Sequence, residues 1–329
     1  MTQSEKDVRI STRGRGFLHV LLILTALIIV VVVGLAVYIG DQVYTGITTI
    51  SREGTVEEDP SALLERAYGF DDQAFIARYA PDTGTVDARS GGHVIAIEHI
   101  RTREPDPHGA VVLVHPLGGT KETMHPVAEI FLEGGWDVYT LDQRGVGGTT
   151  SEVSTNGVLE AIDLADVVLH ARENGYGTVG VWGSSFGGLT VGVYSASEEA
   201  TEICDFAILD CPAVSAWDTM KSFMSGMDLG GMPLDPLVAL GDIHLRIRQG
   251  ASLDDAELPE VMKKTRIPVL FAYTEADELF SPEDITRTYE ATGSQRKEIE
   301  GWKNAEHAEI FLADPAGYAE TMLEFAGGV

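Results

Sequence analysis

The sequence predicts an α/β protein: a mostly parallel central sheet with helices on both faces and a short helical cap, preceded by one transmembrane helix. Three observations carry that expectation. From about residue 80 to 326, short apolar runs alternate with stretches of helical periodicity, as in parallel strands joined by crossover helices. The pentapeptide Gly183-Ser184-Ser185-Phe186-Gly187 stands directly after one such run and directly before one such helix. The 23 residues from Phe17 to Ile39 contain no Asp, Glu, Lys or Arg.

That uncharged stretch spans roughly 34 Å as a helix, enough to cross a bilayer's hydrocarbon core. A cleaved signal peptide is the rival reading, but its apolar part is usually about 7–15 residues. Gly34-Leu35-Ala36 is also a poor cleavage site. Lys6, Arg9, Arg13 and Arg15 precede the stretch, while the other flank opens with Asp41 and has no basic residue before Arg52. The positive-inside rule therefore puts residues 1–16 in the cytosol, residues 17–39 across the cell membrane and the remainder outside. Residues 40–60, with Glu53, Glu57, Glu58, Asp59 and Pro60, read as a polar stalk. Residues 61–329 read as the globular domain.

Within that domain a helix is expected over Ser61–Tyr79, with Leu63, Leu64, Ala67 and Tyr68 on one face. A hairpin follows over Thr85–Arg89 and His93–Arg101, turning at Gly91-Gly92. Next come strand Ala110–His115, helix Lys121–Glu133, strand Trp136–Asp142, helix Gly157–Glu173, strand Thr178–Trp182, helix Phe186–Glu198 and strand Asp205–Asp210. Residues 211–266 form a mostly helical insertion. Strand Pro268–Thr274, helix Pro282–Thr292, strand Arg296–Gly301 and helix Ala308–Phe325 complete the order.

Charge and thiols exclude several classes. With 51 Asp+Glu against 23 Lys+Arg the formal charge is -28, which repels nucleic acid and anionic headgroups. Cys204 and Cys211 flank an apolar run that reads as a strand. Seven strand steps set their Cα atoms about 23 Å apart, against about 4.4–6.8 Å in a disulfide. Two free thiols are expected.

The chemistry centres on the pentapeptide. A G-x-S-x-G sequence at a strand-to-helix turn exposes the serine hydroxyl above the sheet edge, and a Cβ at either glycine would obstruct the reversal. Ser185 is therefore the nucleophile and Ser184 the variable position. An acyl-transfer serine needs a base, and the base an orienting acid, which in this arrangement follow in the order Ser, Asp/Glu, His. Only His244 and His307 lie downstream. His307, between the last strand and the last helix, is the expected base; His244, beside Arg246 and Arg248, reads as a surface residue. Asp277, just past strand Pro268–Thr274, is the expected acid. Glu275 and Glu278 are its neighbours on the loop, and Asp210 is an alternative at an earlier strand end. Two backbone N–H groups must hold the oxyanion. Phe186 supplies one. Leu117 supplies the other, with Gly118 behind it, since Pro116 has no N–H. His115 reads as structural. This chemistry requires no cofactor and no metal.

Together, His115-Pro-x-Gly-Gly119, Asp142-x-Arg144-Gly-x-Gly147, Gly183-x-Ser185-x-Gly187, Leu209-Asp210-Cys-Pro212, Asp277 and His307 resemble the α/β-hydrolase superfamily, most of all its Bem46-like or Abhd-type serine hydrolases, over roughly residues 80–326. Two positions depart from the usual pattern: Pro116 replaces the glycine after the histidine, and Thr149 replaces a serine. The resemblance implies an α/β-hydrolase fold and esterase, lipase or thioesterase chemistry on a small-molecule or lipid acyl ester, without naming a substrate. Acyl transfer to a cell-envelope acceptor and a catalytically silent binding ectodomain are the competing functions. The insertion 211–266 falls where such folds place a cap. Met220, Met224 and Met227 repeat there at helical spacing, either packing the cap onto the body or lining an acyl pocket. Gly226, Gly230, Gly231 and Pro233 would let part of the cap move.

Overall fold

The computed structural model describes residues 12–54, 59–226 and 229–329, with the side chains of 12–16 and 50–54 left out. The cationic N-terminal flank, Glu57, Glu58 and Met227 lie outside the described residues or side chains. One eight-stranded sheet organises the body: β1 (Asp82–Asp87), β2 (Val94–Ile100), β3 (Ala110–Val114), β4 (Asp137–Leu141), β5 (Val179–Ser184), β6 (Phe206–Asp210), β7 (Val269–Thr274) and β8 (Lys297–Trp302). Their spatial order is β1-β2-β4-β3-β5-β6-β7-β8. β2 runs antiparallel to both β1 and β4, and all other pairs are parallel. Strands β3, β4, β5 and β6 are buried at every position, as expected of parallel strands covered on both faces.

Thirteen helices are described: α1 (Thr12–Gly54), α2 (Pro60–Tyr68), α3 (Asp72–Tyr79), α4 (His125–Glu133), α5 (Val158–Glu173), α6 (Phe186–Ser195), α7 (Glu198–Ile203), α8 (Ala216–Ser225), α9 (Leu234–Gln249), α10 (Leu258–Val261), α11 (Pro282–Ala291), α12 (Ile310–Ala313) and α13 (Pro315–Gly327). Two core clusters line the sheet faces. One includes Leu164, Val168, Leu189 and Val191, and the other Phe131, Trp182, Tyr318 and Phe325.

Three expected single helices are broken, each for a local reason. Ser61–Tyr79 divides into α2 and α3 at Gly69, which adopts the left-handed conformation (φ 64°), while Asp59 and Asp71 cap the two amino ends. Phe186–Glu198 ends at Ser195, and Ser197 starts α7 by accepting from the Ala200 amide. Ala308–Phe325 is interrupted at Asp314, which caps α13 ahead of Pro315.

Residues 40–54, read as a stalk, instead continue α1 without interruption. They lie against the body. Tyr44, Ile47 and Thr48 are buried, the Thr48 carbonyl accepts from the Ser154 amide at 2.9 Å, and the Ile47 carbonyl accepts from Asn156 Nδ2 at 3.3 Å. Small residues allow a close crossing with α9: a Cβ at Gly241 would lie 2.6 Å from Val43 Cγ1, and one at Gly40 2.9 Å from the His244 ring. His244 is thus half-buried beneath α1 rather than a surface residue. Polar composition misled here because burial on a neighbour, and not propensity, holds this part of the helix.

The lead-in helices are locked on by a buried ion cluster. His125 Nδ1 donates to Asp72 Oδ1 at 2.5 Å and Nε2 to Glu98 Oε2 at 3.0 Å, and Phe75 stacks on the ring. Burial works against the charge on His125, but the hydrogen bonds and charges of the two carboxylates prevail and push its pKa up to about 9. Because the folded pKa lies above the ordinary 6.5, the stabilisation is fully present below pH 6.5 and is lost as pH rises through about 9. Urea unfolding at pH 6 and at pH 9.5 should show that loss. His125→Ala should cost about 3–5 kcal/mol at pH 6, because two buried carboxylates lose their cation, and should flatten the pH dependence over this range.

Candidate active site

Strand β5 lies at the centre of the sheet, flanked by β3 and β6, and the chain reverses at its carboxyl end into α6. Ser185 makes the reversal with φ 55° and ψ −116°, a conformation that L-residues avoid and that occurs where function demands it. Its amide donates to the Asp210 carbonyl at 2.9 Å. The flanking glycines follow from the tightness of this turn. A Cβ at Gly183 would stand 2.3 Å from the Gly187 carbonyl oxygen, and one at Gly187 would stand 2.2 Å from that of Val114.

The structure brings together the serine, the histidine and the acid expected from the sequence. His307 Nε2 lies 2.8 Å from Ser185 Oγ, and His307 Nδ1 lies 2.7 Å from Asp277 Oδ2. The loop carrying His307 is tied to β7 by Thr274 Oγ1, which donates to the Ala305 carbonyl at 2.7 Å. The amides of Leu279 and Phe280 donate to Asp277 Oδ1 at 2.8 and 2.9 Å, leaving Oδ2 for the histidine. Burial opposes ionisation of Asp277, yet the His307 contact and these amides hold its carboxyl below the usual carboxylate range. An ionised acid fixes the histidine with its proton on Nδ1 and its acceptor lone pair toward the serine.

Leu117 and Phe186 line the same pocket as Ser185 and His307. Among the described residues, neither amide donates to an internal acceptor. His115 is structural, as expected. It is buried, its Nδ1 donates to the Pro116 carbonyl at 2.8 Å, and its Nε2 accepts from the Gln143 amide at 3.0 Å. Gln143 in turn donates to the His115 carbonyl and accepts from Thr190 on α6 at 2.7 Å. This brace between the β3 turn and α6 was not anticipated from the sequence.

Asp210, the alternative acid, points elsewhere. It is fully buried at the end of β6, Tyr318 donates to its Oδ2 at 2.8 Å, and no group among the described residues is a hydrogen-bond partner of its Oδ1. Burial, opposed by hydrogen bonds from Tyr318 and Cys211, pushes its pKa up to about 6. Both cysteines are free and buried. Cys211 was read only as a free thiol, yet it adopts φ 42° beside the acid–base pair, its sulfur within 4.8 Å of ligand-type atoms of Asp277 and His307. Burial pushes this thiol up. Asp277 and His307 are already committed to each other, so the trio does not form a ready metal site.

The pocket over Ser185 encloses about 440 Å³ and is mainly apolar, with Leu117, Phe186, Phe223, Leu279 and Phe280 in its walls. Phe280 meets the His307 ring edge-on at 5.2 Å. The cap contributes Thr219, Ser222 and Phe223 from α8. The methionine stripe faces the other way, with Met220 and Met224 in the core between cap and body. The packing alternative therefore describes them, and their neighbours on α8 face the pocket.

The fold and this geometry define the class: the chain has the α/β-hydrolase fold, and part of its sequence is similar to hydrolases of that fold. A family model described as serine aminopeptidase, S33, matches residues 105–230. Protein YqkD of Bacillus subtilis (strain 168) is 27% identical over 224 residues, 67% of this chain and 72% of that protein. The thermostable monoacylglycerol lipase of Bacillus sp. (strain H-257) is 27% identical over 240 residues, 65% of this chain and 89% of the lipase. The Pyrococcus furiosus esterase Pf2001 shares the fold with a TM-score of 0.60 at 17% identity, covering 78% of this chain and 94% of the esterase. The Paleococcus ferrophilus monoacylglycerol lipase does so with a TM-score of 0.53 at 22% identity, covering 71% and 98%.

The two carboxylates are separable by experiment. Asp277→Asn should lower kcat by about 10⁴-fold, because the histidine would lose the group that selects its tautomer. Asp210→Asn can keep an acceptor for Tyr318 and should leave most activity in place. Steady-state hydrolysis of a chromogenic ester by each purified variant checks both outcomes.

Proposed function

We propose that the protein is a membrane-anchored serine hydrolase that cleaves carboxylic esters or thioesters with acyl chains, through an acyl-enzyme on Ser185. The observation that carries this reading is the continuous chain Ser185 Oγ–His307–Asp277, with contacts of 2.8 and 2.7 Å, opening into an apolar pocket. Ser185 attacks the acyl carbon while His307 Nε2 takes its proton. The Leu117 and Phe186 amides stabilise the oxyanion, and His307 returns the proton to the leaving alcohol or thiol. Water, activated by the same histidine, then releases the acid. The monoacylglycerol lipase relative and the apolar lining support an ester with a hydrocarbon acyl group.

The anchor is the helix α1. The most apolar 18-residue window of its candidate span has a mean hydropathy of 3.3, and the large apolar side chains from Phe17 to Tyr38 are exposed. A lipid environment satisfies such a surface where water does not. The cationic flank before it supports a cytosolic N-terminus and an extracytoplasmic catalytic domain.

A fluorophosphonate probe tests the chemistry. Wild type and Ser184→Ala should label, and Ser185→Ala should not; labelling that survives Ser185→Ala would remove the serine from this role. No labelling of any form would favour a binding ectodomain. Product analysis with and without added alcohol acceptors separates hydrolysis, the expected outcome, from acyl transfer.

A further inference from the structure

Helix α9 of the cap turns an apolar stripe outward. Ile243 and Ile247 are 49% and 78% exposed, one turn apart, and helical spacing sets Leu240 and Pro236 on the same side. The opposite side, with Leu237, Gly241 and Leu245, is buried. Scattered exposed aliphatics are ordinary on a protein surface. The position of this stripe is not.

It borders the place where α1 leaves the body. From Phe17 to Tyr38 the helix is about 33 Å long, which matches a hydrocarbon core of about 30 Å. The boundary of that core therefore falls near Tyr38, which is 63% exposed, and tyrosine favours this depth. Contact with the body begins one or two residues later. Ile39 packs on the core, Gly40 sits against the Leu240 carbonyl and the His244 ring, and Arg248 pairs with Asp41 and covers the Tyr44 ring. No spacer separates the span from α9. Half-exposed Arg246 and Arg248 also lie at this edge, paired with Asp242 and Asp254 and with Asp41.

Taking the membrane anchor proposed above as its premise, we infer that the outer stripe of α9 rests in the interfacial zone of the bilayer, so that the pocket draws its acyl esters from the membrane. The next cap helix fits this placement. α8 is bridged to α9 by Lys221 and Asp235 at 3.5 Å and presents Phe223 to the pocket, whose wall also carries Leu279, 66% exposed. An embedded acyl chain thus meets apolar side chains on its way to Ser185.

The test uses the full chain in phosphatidylcholine proteoliposomes. Cys204 and Cys211 are buried, so an environment-sensitive thiol label reports on an introduced cysteine. Label Ile247→Cys, and Asp106→Cys as a control on the exposed loop before β3, at the sheet edge opposite the cap. Spin-labelled lipids should quench the first label and not the second. Ile243→Asn combined with Ile247→Asn should lower hydrolysis of a long-chain ester embedded in the vesicles by about tenfold, comparable to one aliphatic side chain leaving an apolar phase. Hydrolysis of a water-soluble short-chain ester should not change.

Equal quenching at both positions would overturn the inference. So would an equal fall on both substrates, or crosslinking of Ile247→Cys between two copies without lipid quenching, which would make the stripe a dimer face. Absence of fluorophosphonate labelling in the wild type would instead defeat the serine-hydrolase reading, and the quenching result would stand apart from it.

Discussion

The backbone of Ser185 is held in the left-handed region between the central strand and α6, and most of the site depends on how that turn is accommodated. The conformation costs of order 1–3 kcal/mol and persists only where its surroundings over-determine it. Gly183 and Gly187 allow the chain to pass within van der Waals reach of itself and of β3. The Asp210 carbonyl takes the serine amide, and Gln143 and Thr190 fasten the start of α6 to the turn after β3. Ser185, the proposed oxyanion amides and the histidine loop thereby share one rigid edge of the sheet. Such preorganisation is what electrostatic stabilisation of a transition state requires.

Two carboxyl groups near the histidine have been given opposite environments. Asp277 is supplied with two amides and the histidine and stays ionised. Asp210 is supplied with a tyrosine, has one oxygen without a partner among the described residues, and is driven toward its neutral form by burial. The carboxyl group that touches the histidine is thus the one whose charge its surroundings favour, as the proposed orienting role requires.

The elbow, the order of serine, acid and histidine, and the parallel sheet were legible because each leaves a local signature: glycine spacing, turn position, apolar runs. That Asp277 and not Asp210 lies against His307 was legible from strand order alone. What escaped depends on contacts between distant segments. Residues 40–54 look like a spacer because the apolar surface they need is on α9, about two hundred positions later, and the few residues that use it, Tyr44 and Ile47, are scattered among polar ones. The methionines of α8 were ambiguous because periodicity identifies a face and not what it faces. Gln143 and Cys211 carry no motif at all, and only the folded sheet edge reveals what they touch.

The unbroken helix α1 joins the apolar span to the catalytic body in phase as well as in distance. Each residue of an α-helix advances about 1.5 Å and turns about 100°. A single residue inserted between Tyr38 and Gly40 would therefore swing one partner around the other by more than a quarter turn, and about four would nearly restore the alignment. The length of this junction works as an angular setting: it determines which side of the enzyme looks toward whatever surrounds the span.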